Sequence, residues 1–225
     1  AFALGGSANA RIQHTTQIIS LAYLPLALWL GARALERSSW RAGLAAGGLA
    51  GLIAIDRDQV ALLSLYVLAG FVLAYWLSGE HPLVRMRASI KPLVAAGTSA
   101  TLVAAVPVMM TLLLAARSNR PEVGYASAAA GSLHPVHLLQ FAIADLYAAM
   151  DPTIDFWAPE SRAWDAAWGW PGLYLSQNMT LLYAGALTLV AVVSFGLVRG
   201  LAWAREIRFF TIAAALVLLY ALGGY

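Results

Sequence analysis

At 225 residues, 61% hydrophobic and only 11% charged, the chain is too apolar for an ordinary soluble domain of its size. Its net charge of +3 includes no basic run, which excludes a nucleic-acid surface, and the absence of cysteine excludes structural disulfides and thiolate metal sites.

The leading residues carry Arg11, His14 and Gln17 just ahead of the first apolar stretch. Six such stretches follow, over 17–32, 40–55, 60–77, 92–116, 179–198 and 209–222. Most approach the ~20 residues needed to cross a hydrocarbon core. Pro25 and Pro107 fall inside spans, where neighbouring helices can compensate a lost backbone hydrogen bond. Gly43, Gly47 and Gly51 recur every fourth residue in the second span, a ridge without side chains against which another helix can pack closely.

Lys and Arg alternate across the connections. The segments around Arg37, Arg87 and Arg205 each carry +2, whereas the leading segment, the Asp56-Arg57-Asp58 turn and the stretch 117–177 carry +1, −1 and −3. Positive connections mark the cytoplasmic side, so the acidic turn and the long stretch are expected outside. The fold expected is all-α: a polytopic transmembrane bundle of about six spans with one long outer loop carrying short interfacial helices. Its blocks are an outer-face segment plus four helices over 1–116, an extracytoplasmic loop over 117–177, and two C-terminal helices over 178–225.

Within that loop, Ser132 is a plausible N-cap and Pro135 suits a first turn. A helix is expected to run to Met150, with Leu139, Phe141, Ile143, Leu146 and Tyr147 around a narrower polar sector of His134, His137, Gln140 and Asp145. Such a helix would lie along the membrane surface. A second helix from Glu160 would stack Trp164 over Trp168.

Chemistry on a lipid-borne substrate belongs at headgroup level, at the outer helix ends. Arg11 with His14 offers donors to phosphate oxygens, or serves as a headgroup anchor. Asp56 and Asp58 flank Arg57 and precede Gln59, an arrangement that suits a divalent cation through oxygen ligands, a general base beside a phosphate-binding Arg, or a solvated ion pair. His134, His137 and Asp155 with Trp168 and Trp170 provide acceptors and aromatic faces for a sugar, or an interfacial aromatic belt. The two His alone make no committed metal site. No phosphate-binding glycine loop, nucleophile elbow or zinc-protease motif occurs. The spans hold almost no ionisable residue away from their ends, which argues against a proton-driven pump or a charged ion pathway.

Several short motifs carry a family likeness. Gly5-Gly6-Ser7 through Arg11 and His14 to Tyr23-Leu24-Pro25-Leu26, then Glu36-Arg37 and Arg57-Asp58-Gln59, then Leu133-His134-Pro135 and Tyr174-Leu175, resemble the bacterial membrane protein YfhO family. That family is similar to the GT-C class of polytopic glycosyltransferases. The resemblance implies transfer of a sugar from a polyprenyl-phosphate carrier to an envelope acceptor on the outer side of the bacterial cytoplasmic membrane. Arg11 and Arg57 would then be carrier-phosphate ligands, and the 117–177 loop part of the sugar and acceptor site. It also implies that the catalytic Asp of the class lies in an outer loop upstream of Ala1, which would leave this chain without its general base, and the sequence is expected to be an internal piece of a longer protein. A lipid-carrier flippase and a non-catalytic envelope scaffold are the competing readings.

Overall fold

The computed structural model describes residues 15–56, 59–117, 132–144, 146–147, 183–205 and 207–223. Among them there are helices and turns and no strand. The chain forms two compact units, one over 14–120 and one combining 1–13 with 121–225.

The first unit holds four helices: α1 (Thr15–Glu36), α2 (Trp40–Ile55), α3 (Gln59–Leu77) and α4 (Pro82–Ala116). Gln17–Glu36, α3 and α4 are long and apolar enough to cross a bilayer, and α2 is a shorter apolar helix of 16 residues. Many of the unit's large hydrophobic side chains point outward, with Leu102 and Leu114 of α4 75% and 71% exposed, while Ala27, Ala34, Ala61 and several glycines are buried. Small residues inside and large apolar ones outside is the pattern that suits helices surrounded by lipid.

Local chemistry sets the turns. Ser38 adopts the left-handed conformation at φ 47°, and the Ser39 amide donates to the Ala34 carbonyl at 3.0 Å, closing α1 with a Schellman-type cap. Ser39 then N-caps α2, its hydroxyl accepting from the Ala42 amide at 3.3 Å. One three-residue link therefore ends one helix and starts the next.

The glycine ridge of α2 meets the backbone of α4. A Cβ at Gly43 would strike the Pro92 carbonyl, one at Gly47 the Ala96 carbonyl, and one at Gly51 the Ala100 carbonyl and the Val103 side chain. The numbering rises together on both helices, so α2 and α4 run parallel, as an up-down-up-down chain requires. On the other side, Ala27, Ile53 and Ala61 join α1, α2 and α3 in a core flanked by Tyr23, Leu24, Leu49, Leu65 and Leu68.

The fourth span begins earlier than its apolar stretch suggested. Pro82 occupies the first helical turn, and Arg85, Arg87 and Lys91 ride on α4 instead of in a connection. Pro92, expected at the helix start, is an interior residue, fully buried against α2. Arg85 fastens the α3–α4 turn: its guanidinium donates to the Tyr75 carbonyl at 2.9 Å and lies 4.8 Å from the Tyr75 ring centre. The Tyr75 hydroxyl donates to the Leu35 carbonyl at 3.3 Å, and the Trp76 indole donates to the buried Ser89 hydroxyl at 3.2 Å.

In the second unit a 3₁₀ helix covers Pro135–Phe141, followed later by α5 (Ala186–Val198) and α6 (Arg208–Ala221). The fifth span was expected from 179; its described residues begin at 183, with 183–185 non-helical and helix from Ala186, after Gly185 at φ 91°, widening to π geometry over Val192–Val198. Gly200 at φ 70° ends it. The Thr211 hydroxyl donates to the Ala202 carbonyl at 2.7 Å, tying α6 to the 3₁₀ turn Leu201–Trp203.

Residues 135–141 depart from the expected α-helix. A 3₁₀ helix has three residues per turn, so His134, His137 and Gln140 line up in one column. That column is turned inward, with His137 and Gln140 3% and 2% exposed, while Leu139 and Ile143 face out at 54% and 53%. Polar-in and apolar-out reverses the expected amphipathic helix. From Ala142 to Tyr147 the described residues form turns.

Candidate functional site

Asp56 caps the C-terminal end of α2, its amide donating to the Ile53 carbonyl at 3.1 Å. Its carboxylate folds back against α1, where Oδ2 accepts from the Ser20 hydroxyl at 2.6 Å. That is the short separation of a charge-assisted bond. Ser20 is fully buried and Asp56 half-buried, so the pair lies at the edge of the α1–α2 interface.

The other carboxylate oxygen, Oδ1, is buried and accepts no hydrogen bond among the described residues. A buried acceptor left unsatisfied costs of order 1–3 kcal/mol. The position adds to that cost, because a helix C-terminus carries partial negative charge and disfavours an anion. Gln59 opens α3 at the same end of the bundle and is exposed. The arrangement leaves Oδ1 lacking a donor among the described residues, with Ser20 fixing the carboxylate's orientation and Gln59 exposed at the same end.

Of the residues singled out in the sequence, the structure brings Asp56 and Gln59 to one end of the first unit. Arg11, His14, Arg57, Asp58, Asp155, Trp168 and Trp170 lie outside the described residues. Ser20 was missed. The only signal it offered was a hydroxyl in an apolar span, and nothing in the spacing linked it to a residue 36 positions away.

The second unit contains a separate polar cluster. The His134 and His137 rings meet edge to face with centres 6.3 Å apart, and His137 meets Tyr147 in the same way at 5.5 Å. His134 Nδ1 accepts from the Val136 amide at 3.3 Å, which commits that nitrogen to capping. The Tyr147 hydroxyl donates to the Val136 carbonyl at 3.0 Å. The Leu133 amide anchors this turn to the Ala221 carbonyl at the end of α6, at 2.7 Å. Gln140 Oε1 is buried without a hydrogen-bond partner among the described residues. Among those residues no three His, Asp or Glu side chains gather as a metal ion would require. Tyr147, placed by the sequence on the apolar sector, is instead a buried partner of His137.

A cleft of about 250 Å³ also opens between α1, α2, α3 and α4. Its walls, from Ala27 to Leu35 on α1 and from Pro92 to Ala100 on α4, carry no ionisable side chain. It occupies the half of the bundle away from Asp56 and supplies nothing to the chemistry of that carboxylate. No family model, curated protein or solved structure matches the chain.

Proposed function

We propose that the chain is part of an inverting membrane glycosyltransferase that uses a polyprenyl-phosphate-linked sugar, with Asp56 as its general base. The single observation that supports this is the Asp56 carboxylate: one oxygen oriented by Ser20, the other buried without a hydrogen-bond donor among the described residues, at the C-terminal end of a helix. A buried polar atom without a partner calls for an explanation in a folded protein, and a substrate that completes it is one.

In this reading the bundle has about six spans in the bacterial cytoplasmic membrane, with the Asp56 end and the 117–177 loop outside. The acceptor hydroxyl of an envelope glycan or polymer approaches Asp56. As its oxygen bonds to the anomeric carbon, the proton passes to Asp56 and the bond from that carbon to the phosphate oxygen breaks. The phosphate leaves with the lipid, its charge balanced by Arg57, the next residue in the chain.

The test is transfer from a radiolabelled polyprenyl-phosphate sugar in membranes containing the full-length protein. Asp56→Asn keeps the shape of the side chain and removes the base, and is expected to slow transfer by about 10²–10⁴-fold. Arg57→Ala is expected to abolish transfer while the protein remains inserted. Unchanged rates in both variants would discard the assignment, and label crossing the membrane without a new glycoside would replace it with lipid-carrier transport.

A further inference from the structure

The apolar cleft lies toward the end of the four-helix unit that collects cations. Arg33, Arg37, Arg41, Arg85, Arg87 and Lys91 all belong to this end, opposite Asp56. Arg33 directly precedes the lining residue Ala34, and Lys91 directly precedes the lining residue Pro92. Both cations are exposed. Arg33 lies 5.5 Å from the ring centre of Trp29, and Arg41 lies 5.6 Å from that of Trp40, two exposed aromatics of the kind that sit at a bilayer interface.

The cleft's size and lining narrow its occupant. At about 250 Å³ it falls below the usual range for drug-sized ligands, and its walls are almost entirely apolar, with no polar side chain to orient a sugar or nucleotide. Gly31 and Gly97 leave part of it open, since a Cβ at either would meet nothing within 4 Å. Gly97 is exposed, so the cleft reaches the bundle surface there. A void of this kind forfeits dispersion contacts unless something flexible and apolar fills it.

We propose that the cleft seats one acyl chain of an anionic phospholipid whose phosphate rests against Arg33 and Lys91. The inference depends on the bundle lying in a bilayer and not on sugar transfer. Charge complementarity selects the occupant: the chain needs only an apolar slot, while the adjoining cations favour a phosphate with net negative charge over a zwitterionic headgroup. Basic residues beside a slot between transmembrane helices are a recurring means of retaining such lipids.

Native mass spectrometry of the full-length protein in detergent, with phosphatidylglycerol or phosphatidylcholine added, tests the proposal. The expected result is retention of one phosphatidylglycerol in preference to phosphatidylcholine. The double variant Arg33→Gln, Lys91→Gln changes only exposed side chains and is expected to lower that preference roughly 30-fold. Gly97→Leu and Gly31→Leu direct a side chain into open space and are each expected to remove the retained lipid while helix content by circular dichroism is unchanged. Equal retention of the two lipids, or full phosphatidylglycerol preference in the double variant, overturns the proposal. So does a dimer that excludes lipid from the wild-type protein, which would assign the slot to a second copy.

Discussion

Asp56 sits where α2 least favours an anion, and Ser20 is the group that holds it there. Removing that hydroxyl leaves a second carboxylate oxygen without its donor. Ser20→Ala is accordingly expected to destabilise the first unit by roughly 1.5–3 kcal/mol, measurable as a lower unfolding midpoint in detergent. A midpoint equal to wild type would mean that the pair contributes nothing to the interface. The carboxylate itself was legible in the sequence, because charges in a short turn between apolar spans stand out. Its partner was not: a serine inside a span looks the same whether it bonds to its own helix or reaches across to another. Likewise His134, His137 and Gln140 were visible as polar residues, but their inward column depends on a 3₁₀ period of three, whereas a pattern search at 3.6 residues per turn groups them with a solvent-facing sector.

Between elements, the α2–α4 contact is governed by backbone approach. At Gly47 any Cβ enters the Ala96 backbone, which cannot swing away as a flexible side chain can. Gly47→Ala is expected to cost about 1–3 kcal/mol through forced separation of the helices. The neighbouring Gly48→Ala would meet only the Ser99 hydroxyl at 3.4 Å and is expected to be near neutral. Paired thermal unfolding curves check this contrast, and equal effects at the two positions would refute the close packing. The limits of α2, Trp40–Ile55, coincide with its apolar run, and the spacing of Gly43, Gly47 and Gly51 already indicated a packing ridge. The facing row of Pro92, Ala96 and Ala100 was hidden, because Pro92 resembled a helix start while Arg85, Arg87 and Lys91 resembled a loop. All three cations tolerate a helix well, and Pro82 supplied the N-terminal proline that Pro92 was thought to be.

The four-helix unit is polar from one end to the other. One end presents the Asp56 carboxylate beside Gln59, and the other gathers basic residues around the mouth of an apolar cleft. In the proposed reading, the charge alternation puts the acidic end outside and the basic end in the cytoplasm. Sugar transfer to an envelope acceptor needs the first placement, and retention of an anionic lipid fits the second. The chain has no cysteine of its own, so within it a single introduced cysteine reports one end, read against the unsubstituted protein. The most direct measurement is labelling of Ser38→Cys and Gln59→Cys by a membrane-impermeant maleimide in intact and permeabilised cells. Gln59→Cys is expected to label in intact cells and Ser38→Cys only after permeabilisation. The opposite order, or equal labelling of both in intact cells, would contradict that orientation.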